Sequence, residues 1–226
     1  MHDSQILPTP NDCALPRRRA DFATFNEAID YAALSEKGLN FHDMRGTLER
    51  AYPYREMRED ALAMAYRLVA AGIGPKDRVA LIADTSPEFA ALFCACIYAG
   101  AWPVPLPLPT TFGGKESYID QLVVQLESAD PAILLFPPEI AEMTRAAAQR
   151  IDCAAIDWAE FATREAPEAN LPEASPEDIC YLQYSSGSTR VPTGGAVTHK
   201  ALLHNLYGLS SAMDLGTNDR CVSWLP

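Results

Sequence analysis

A run of hydroxyl-bearing residues and glycines follows a hydrophobic segment late in this chain. Residues 179–184 predict a strand, which leads into residues 185–195, Ser-Ser-Gly-Ser-Thr-Arg-Val-Pro-Thr-Gly-Gly. Glycine lets backbone N–H groups approach an anion closely, and serine and threonine hydroxyls add donors and can face Mg²⁺. The order of these residues favours an anion-binding loop for a nucleotide triphosphate, although the same residue types also occur in ordinary surface hairpins.

The residues after the loop predict how the chain returns to the fold. Residues 196–198 favour a short strand, and Thr198 is a suitable N-cap for a helix from His199 to about Ala212. A histidine at the start of a helix is more often an ordinary first-turn residue than a catalytic base. The loop is not of the Walker A type, because it lacks the Gly-Lys-Ser/Thr ending.

Upstream of the loop, the hydrophobic pattern alternates between the periods of strands and helices. Strands are predicted over residues 39–42, 47–52, 78–83, 132–136 and 153–157, and helices over residues 25–38, 57–69, 86–100, 116–128 and 139–150. Such alternation with long crossovers specifies parallel pairing and right-handed βαβ units. We therefore expect an α/β fold of layered parallel or mixed sheets with flanking helices.

Some segments depart from that alternation. Residues 102–109 alternate proline with apolar residues, which excludes a central strand and favours an extended wall or a sheet edge. The acidic, proline-containing stretch predicts an exposed connecting loop over about residues 158–178. Residues 221–223 predict a last strand. Residues 1–20 predict a flexible polar leader ahead of one incomplete domain over residues 21–226.

Composition and charge narrow the class of protein. Of 226 residues, 48% are hydrophobic and 9% aromatic, enough for a substantial core. A formal charge of −12 argues against nucleic-acid or anionic-lipid binding. The six cysteines have no paired metal-ligand spacing, so we expect reduced, mostly buried thiols and assign no metal ligands. With no signal-like leader and no membrane-spanning segment, the sequence favours a cytoplasmic protein without integral membrane contact.

Residues 178–199 resemble the signature phosphate loop of adenylate-forming enzymes, the superfamily of acyl-CoA synthetases, luciferases and nonribosomal peptide adenylation domains. That superfamily usually has glycine at the position of Arg190 and lysine at the position of Thr193, and both departures resemble its fatty acyl-AMP ligase branch. Other stretches are similar to the same branch, namely residues 39–41, 77–81, 84–89, 103–109 and 113–118. The resemblance covers roughly residues 22–226 and implies the N-terminal part of the large domain of such an enzyme.

The resemblance also implies a reaction and its participants. Fatty acyl-AMP ligases join a long-chain fatty acid to ATP, with Mg²⁺, to give acyl-adenylate and pyrophosphate, and pass the acyl group to an acyl carrier protein or a polyketide or nonribosomal synthase module. By similarity, the residues that would bind the nucleotide are Ser185, Ser186, Gly187, Ser188, Thr189, Arg190, Gly194 and Gly195. Arg190 would either add charge to the site or pair with a surface acid.

Three further residues have two interpretations each. His199 and Trp224 would lie near the active site of such an enzyme, although a tryptophan beside a strand usually belongs to the core. Tyr118 would line a ligand channel or belong to a buried helical face. The main catalytic residues of the family would lie beyond Pro226, so we expect the 226-residue chain alone not to turn over.

Two other classes of function stay open from the sequence. Within enzymes, the alternative is an acyl-CoA synthetase or an amino-acid adenylation domain. Outside enzymes, the chain could be a non-catalytic α/β module that binds nucleotide or acyl chains, or a structural domain whose serine loop binds nothing. ATP-dependent thermal stabilisation would separate a binding module from a structural domain.

Overall fold

The computed structural model describes residues 15–109, 114–184, 194–216 and 219–223. The helices are α1 (Phe25–Ala32), α2 (Tyr54–Ala70), α3 (Pro87–Tyr98), α4 (Lys115–Ala129), α5 (Ala141–Arg150), α6 (Trp158–Ala162) and α7 (His199–Ala212). The strands are β1 (Gly38–His42), β2 (Leu48–Pro53), β3 (Arg78–Ile82), β4 (Trp102–Leu106), β5 (Ile133–Phe136), β6 (Ala155–Asp157), β7 (Ile179–Tyr184) and β8 (Gly194–Thr198). A single 3-10 turn, Pro138–Ile140, precedes α5.

Four of the strands form a parallel sheet in the order β4-β3-β5-β6. Val79 in β3 is aligned with Pro103 on one side and with Ile133 on the other. These short strands are apolar on both faces, as expected for a sheet that helices cover from both sides. The remaining strands form two antiparallel pairs, β1 with β2 and β7 with β8. The predicted α/β fold with parallel pairing is confirmed.

The sheet separates two hydrophobic cores. Because side chains alternate along a strand, Val79 and Leu81 pack in the core with α2 and α3, whereas Ala80 and Ile82 pack in the core with α4 and α5. These four side chains, Val79 to Ile82, are fully buried. One strand therefore anchors both layers of helices.

Helix α3 is the most deeply buried helix of the first core, as its nearly uniform apolar sequence predicted. Ser86 is its N-cap, with Oγ accepting from Phe89 N at 3.2 Å, and Pro87 occupies the first helical position. Gly100 follows the C-terminus at φ +71°, and a Cβ there would lie 2.9 Å from Cγ of Pro172. The connecting segment after α6 therefore packs directly on the end of α3.

The proline-rich strand β4 forms an edge of the parallel sheet, which confirms the prediction for residues 102–109. Pro103 and Pro105 have no N–H to donate, so a second parallel neighbour could not be fully hydrogen-bonded. Val104 and Leu106 are nevertheless fully buried in the core with α4.

Helix α1 starts as predicted and stops earlier. Thr24 Oγ1 accepts from Glu27 N at 3.3 Å, and Glu27 Oε2 accepts in return from Ala23 N at 3.0 Å. The helix ends at Ala32 instead of continuing towards Gly38. Asp30 near its end accepts from Arg58 of α2 and from Tyr98 of α3, at 2.5 and 2.6 Å. One carboxylate thus connects three helices.

The expectation of an exposed loop over residues 158–178 is wrong at its beginning. Asp157 Oδ1 accepts from Glu160 N at 2.8 Å and caps α6. Trp158 and Phe161 of this helix are buried against the core of α2 and α3. Their i, i+3 spacing places both rings on one helical face, a signal that the surrounding acids and prolines concealed. Turns and irregular structure follow from residue 163 to residue 178.

The predicted strand over residues 221–223 is also wrong. In the described part of the chain these residues are exposed and have no strand conformation, and Val222 is 84% accessible to solvent. A strand is stabilised by hydrogen bonds to a neighbour, and residue type alone does not provide one.

The cysteines of the described ranges are free thiols, and most are buried. Cys94, Cys96 and Cys180 lie in the interior, Cys153 is half-buried and Cys221 is exposed. Burial raises the pKa of Cys94 and of Cys180 to about 12, because a thiolate is poorly solvated there. None of the helices in the described ranges has both the length and the apolar character required to cross a bilayer.

Candidate phosphate-loop site

The strands β7 and β8 form the stem of the predicted phosphate loop. They pair antiparallel, with Tyr184 opposite Gly194 and Gln183 opposite Gly195. The stem therefore brings the two ends of residues 185–193 together. Those nine residues lie outside the described part of the chain, and with them the predicted donors Ser185, Ser186, Gly187, Ser188, Thr189 and Arg190.

The residue pair at the loop end of the stem, Tyr184 and Gly194, is closely packed. A Cβ on Gly194 would lie 3.0 Å from Cζ and 3.1 Å from Cε2 of Tyr184, so the tyrosine ring lies directly over this glycine. A Cβ on Gly195 would meet only Gln183 O, at 3.7 Å. The two glycines predicted to shape the loop's return are thus both in β8. Only at position 194 does a neighbouring side chain favour glycine over a residue with a Cβ.

An open cleft lies beside the end of this stem. Its volume is about 490 Å³. Its walls come from the start of β3, the end of α4 and the two strands of the stem, through Arg78, Ser128, Ala129, Asp130, Leu182, Tyr184 and Gly194. The cleft is therefore in contact with both residues from which the nine-residue loop departs.

Among the described residues that line this cleft, Arg78 is the cation, and its guanidinium already has partners. Its Nε donates to Ala129 O at 2.8 Å, and a terminal nitrogen donates to Asp130 O and Asp130 Oδ2, both at 2.6 Å. Asp130 has φ +46° and ends α4 in the left-handed conformation. Arg78 thus satisfies carbonyls at the C-terminus of α4, and its charge is balanced by a carboxylate.

The N-terminus of α7 is also engaged by protein groups. Thr198 Oγ1 accepts from Ala201 N at 3.1 Å, as the sequence predicted for an N-cap. The N–H groups of His199 and Lys200 donate to carbonyls of the connecting segment, Asp178 O at 3.1 Å and Pro176 O at 2.9 Å. The first-turn donors that often bind phosphate at a helix N-terminus are therefore already used.

His199 is a buried structural residue in this arrangement. Its side chain is 2% exposed, and its Nδ1 accepts from Phe25 N at 3.0 Å. Burial lowers the pKa of its imidazole, and the nearby Asp178 carboxylate opposes that effect. The interpretation of His199 as an ordinary first-turn residue fits this geometry better than the role of a solvent-accessible base.

Of the two other residues singled out by the sequence, Tyr118 is described by the structure and Trp224 is not. Tyr118 is 5% exposed, packs in the core with α4 and donates to Pro107 O at 3.0 Å, which supports the buried-face interpretation. Trp224 lies outside the described residues.

The described ranges contain no group of three or more histidine, cysteine, aspartate or glutamate side chains that could hold a metal ion. Mg²⁺ commonly binds through substrate phosphates, water and one or two protein oxygens, so it does not require such a cage. The hydroxyl-rich composition of residues 185–189 is compatible with Mg²⁺ that arrives bound to the phosphates of ATP.

Comparison with known protein families decides the assignment. A family model described as AMP-binding enzyme matches residues 31–226, which is most of the chain. The chain belongs to the AMP-binding enzyme family. The resemblance to adenylate-forming enzymes that the loop motif indicated is thereby confirmed, and the family is one of ligases that join acids to AMP.

Two curated relatives illustrate where this AMP-binding chain lies within the family. A Caulobacter vibrioides protein named as an acyl-CoA synthetase is 41% identical over 224 residues, covering 99% of this chain and 39% of the relative. A long-chain-fatty-acid–AMP ligase of Mycolicibacterium smegmatis is 32% identical over 199 residues, covering 85% of this chain and 31% of the relative. The chain therefore spans less than half the length of these relatives.

Solved structures agree with this assignment. One from a study of fatty acyl-adenylate ligases of E. coli and L. pneumophila matches with a TM-score of 0.89 and 41% identity, over 93% of this chain and 38% of that chain. A fatty acyl-adenylate ligase from L. pneumophila, solved with acyl adenylate and pyrophosphate, matches at a TM-score of 0.72 and 24% identity, over 89% of this chain and 35% of that chain. The second likeness shows the fold alone.

Sequence reasoning missed the surroundings of the stem. Nothing in the local pattern indicated that Ser128 and Asp130 of the α4 terminus would lie beside Tyr184. The partner of His199 was equally hidden, because Phe25 is 174 residues away in the chain. The one available signal concerned the end of α4. Asp130 follows this helix with a positive φ, and aspartate tolerates positive φ better than most residues.

Proposed function

We propose that the protein containing this chain is a fatty acyl-AMP ligase. It would activate a long-chain fatty acid with ATP and Mg²⁺, release pyrophosphate and pass the acyl group to an acyl carrier protein or a synthase module. The observation that carries the proposal is the β7–β8 stem. Its paired ends line an open cleft, and the nine residues that join them in sequence include five with hydroxyl groups.

The chemistry explains why such a segment is needed. A carboxylate oxygen attacks the α-phosphorus of ATP, a new P–O bond forms, and the bond to the leaving pyrophosphate breaks. Negative charge accumulates on the departing oxygens, so donors must converge on the β- and γ-phosphates. Mg²⁺ bound to these phosphates would neutralise further charge. Because the first-turn amides of α7 already have partners, the donors would come from Ser185, Ser186, Ser188 and Thr189 and from the loop's own backbone.

The acyl-AMP branch is favoured over related ligases by two residues of the loop. Arg190 and Thr193 stand where the wider superfamily usually has glycine and lysine. The 41% identity to a chain from the study of fatty acyl-adenylate ligases supports the same branch. We place the activity in the whole protein and expect the 226-residue chain by itself not to turn over, since it covers 39% of the length of its Caulobacter vibrioides relative.

The first experiment measures pyrophosphate release by the intact gene product with ATP, Mg²⁺ and fatty acids of increasing chain length. We expect release that depends on a long-chain acid, and acyl transfer to holo acyl carrier protein in preference to coenzyme A. Preferential transfer to coenzyme A would identify an acyl-CoA synthetase instead. Release that depends on an amino acid would identify an adenylation domain.

A matched pair of variants tests the loop directly. Ser186→Ala combined with Ser188→Ala removes two predicted donors, whereas Ser175→Ala removes an exposed hydroxyl on the connecting segment. We expect the double variant to lose the thermal stabilisation given by ATP·Mg²⁺, and the control to retain it. Equal stabilisation of both proteins would contradict the proposed role of the loop.

A further inference from the structure

His199 joins the N-termini of two helices that are far apart in sequence. Phe25, the first residue of α1, donates from its backbone N–H to His199 Nδ1 at 3.0 Å, and His199 is the first residue of α7. The imidazole is 2% exposed, so water does not compete for this bond. Helix α7 begins immediately after β8, which carries the returning end of the phosphate loop. The bond thus connects the loop's stem to α1.

The bond requires a neutral imidazole. Nδ1 can accept from Phe25 N only when it carries no proton, so the ring's proton resides on Nε2. A helix N-terminus has a positive partial charge, and His199 lies at two of them, its own in α7 and that of α1. Both ends disfavour an imidazolium. Burial acts in the same direction and lowers the pKa of His199.

The charged groups around the ring do not reverse the preference of His199 for the neutral form. Asp178 favours protonation, but its Oδ2 already accepts from Ser175 N at 2.8 Å, and burial has the larger effect on the pKa of the imidazole. In the described ranges, the segments around His199 also carry Glu177, which pairs with Lys200 at 2.8 Å, and Glu27 in the first turn of α1. Lys76 and Glu173 line, with His199, a cavity of about 400 Å³.

We propose that His199 is a positioning residue for the phosphate loop: by holding Phe25 N, its neutral ring fixes the start of α7, and with it the β8 side of the stem, against α1. Its consequence for ATP binding rests on the proposed function, whereas the coupling between α7 and α1 does not. Since linkage is reciprocal, ATP that orders the stem would also strengthen the His199–Phe25 bond. Acidification that protonates the ring would break this bond and weaken the binding of ATP.

The test follows the protection of the Phe25 amide against hydrogen exchange, measured by NMR between pH 5 and pH 8. In the wild-type protein we expect the protection factor to fall as the pH drops below about 6.5, the ordinary pKa of histidine. His199→Leu should lower it by about tenfold at pH 7.5, the effect of one buried hydrogen bond. His199→Asn should keep the protection at all pH values, because its amide oxygen can replace Nδ1 and does not titrate.

His204→Asn is the matched control, since His204 is an exposed histidine of the same helix. It should behave like the wild type across the whole pH range. Unchanged Phe25 protection in His199→Leu would overturn the inference. So would a pH dependence in His199→Asn equal to that of the wild type. If His199→Leu fails to fold, the comparison of the wild type with His199→Asn still decides the question.

A second readout separates this inference from the proposed function. In the intact protein, we expect ATP·Mg²⁺ to bind several-fold more weakly to His199→Leu than to the wild type, with binding restored in His199→Asn. If the wild type does not bind ATP, the proposed function is wrong, and the exchange data alone then decide whether His199 couples α7 to α1. Equal ATP affinity in all variants, with altered Phe25 protection, would refute the role in positioning the loop.

Discussion

Tyr184 donates from its phenolic oxygen to Ser128 Oγ at 3.0 Å, which ties the last residue before the phosphate loop to the last turn of α4. The same tyrosine ring covers Gly194, the first described residue after the loop. One side chain thus contacts the residue at which the chain re-enters the stem and an element of the main domain. The stem is anchored to the main domain at the point where the loop departs.

This arrangement predicts different tolerance of the two stem glycines. Gly194→Ala places a methyl group 3.0 Å from the Tyr184 ring, so the ring must shift by a few tenths of an ångström, which should weaken its bond to Ser128. We expect a loss of about 1–3 kcal/mol in the stability of the stem, measured from amide exchange of β7 and β8. Gly195→Ala, whose new atom meets only Gln183 O at 3.7 Å, should change it by less than about 0.5 kcal/mol. Equal effects would contradict this packing.

A second pair of glycines tests the contact between α3 and the connecting segment. Gly72 and Gly100 both have positive φ, +81° and +71°, so alanine costs roughly 1–2 kcal/mol of backbone strain at either position. At Gly100, the new Cβ would also lie 2.9 Å from Pro172 Cγ, whereas nothing lies within 4 Å at Gly72. Urea unfolding should therefore show a loss about 1–3 kcal/mol larger for Gly100→Ala. Similar losses for both variants would contradict the close contact between Gly100 and Pro172.

The burial of α6 can be tested by truncating one of its two buried aromatic residues. Phe161 is fully buried, so Phe161→Ala should reduce the free energy of unfolding by about 3–5 kcal/mol. Leu34→Ala is the control, because Leu34 is 64% exposed and should cost less than about 1 kcal/mol. Both values come from urea titrations monitored by circular dichroism. A loss of less than about 1 kcal/mol for Phe161→Ala would contradict the burial of α6 and support an exposed loop at these residues.

Thiol labelling tests the burial and pKa of the cysteines. Among the five cysteines of the described ranges, Cys221 is exposed and should react first with a maleimide at pH 8, whereas Cys94, Cys96 and Cys180 should react only after unfolding. Burial raises the pKa of half-buried Cys153 to about 11, against an ordinary value near 9. Its thiolate fraction at pH 8 is therefore lower by about a hundredfold, and labelling should accelerate as the pH rises towards 11. Rapid labelling of Cys94 in the native protein, followed by mass spectrometry, would contradict the described core.

The local sequence determined those features that depend on neighbours in the chain. The capping of α3 by Ser86 and of α7 by Thr198 follows from side chains that bond three residues ahead. The prolines of β4 confined it to a sheet edge because they remove N–H groups wherever the strand lies. The alternation of strand and helix periods likewise specified a parallel α/β sheet, and the loop motif identified the family.

Contacts between groups that are distant in the chain were visible only in the folded molecule. The bond from Phe25 to His199 and the bond from Tyr184 to Ser128 each join segments whose separation in sequence gives no periodic signal. Such contacts depend on how layers pack, and packing forms from many weak interactions distributed over the whole chain. Residues 221–223 illustrate the converse, since Val222 favours strands by type and yet this segment forms no strand in the described part of the chain.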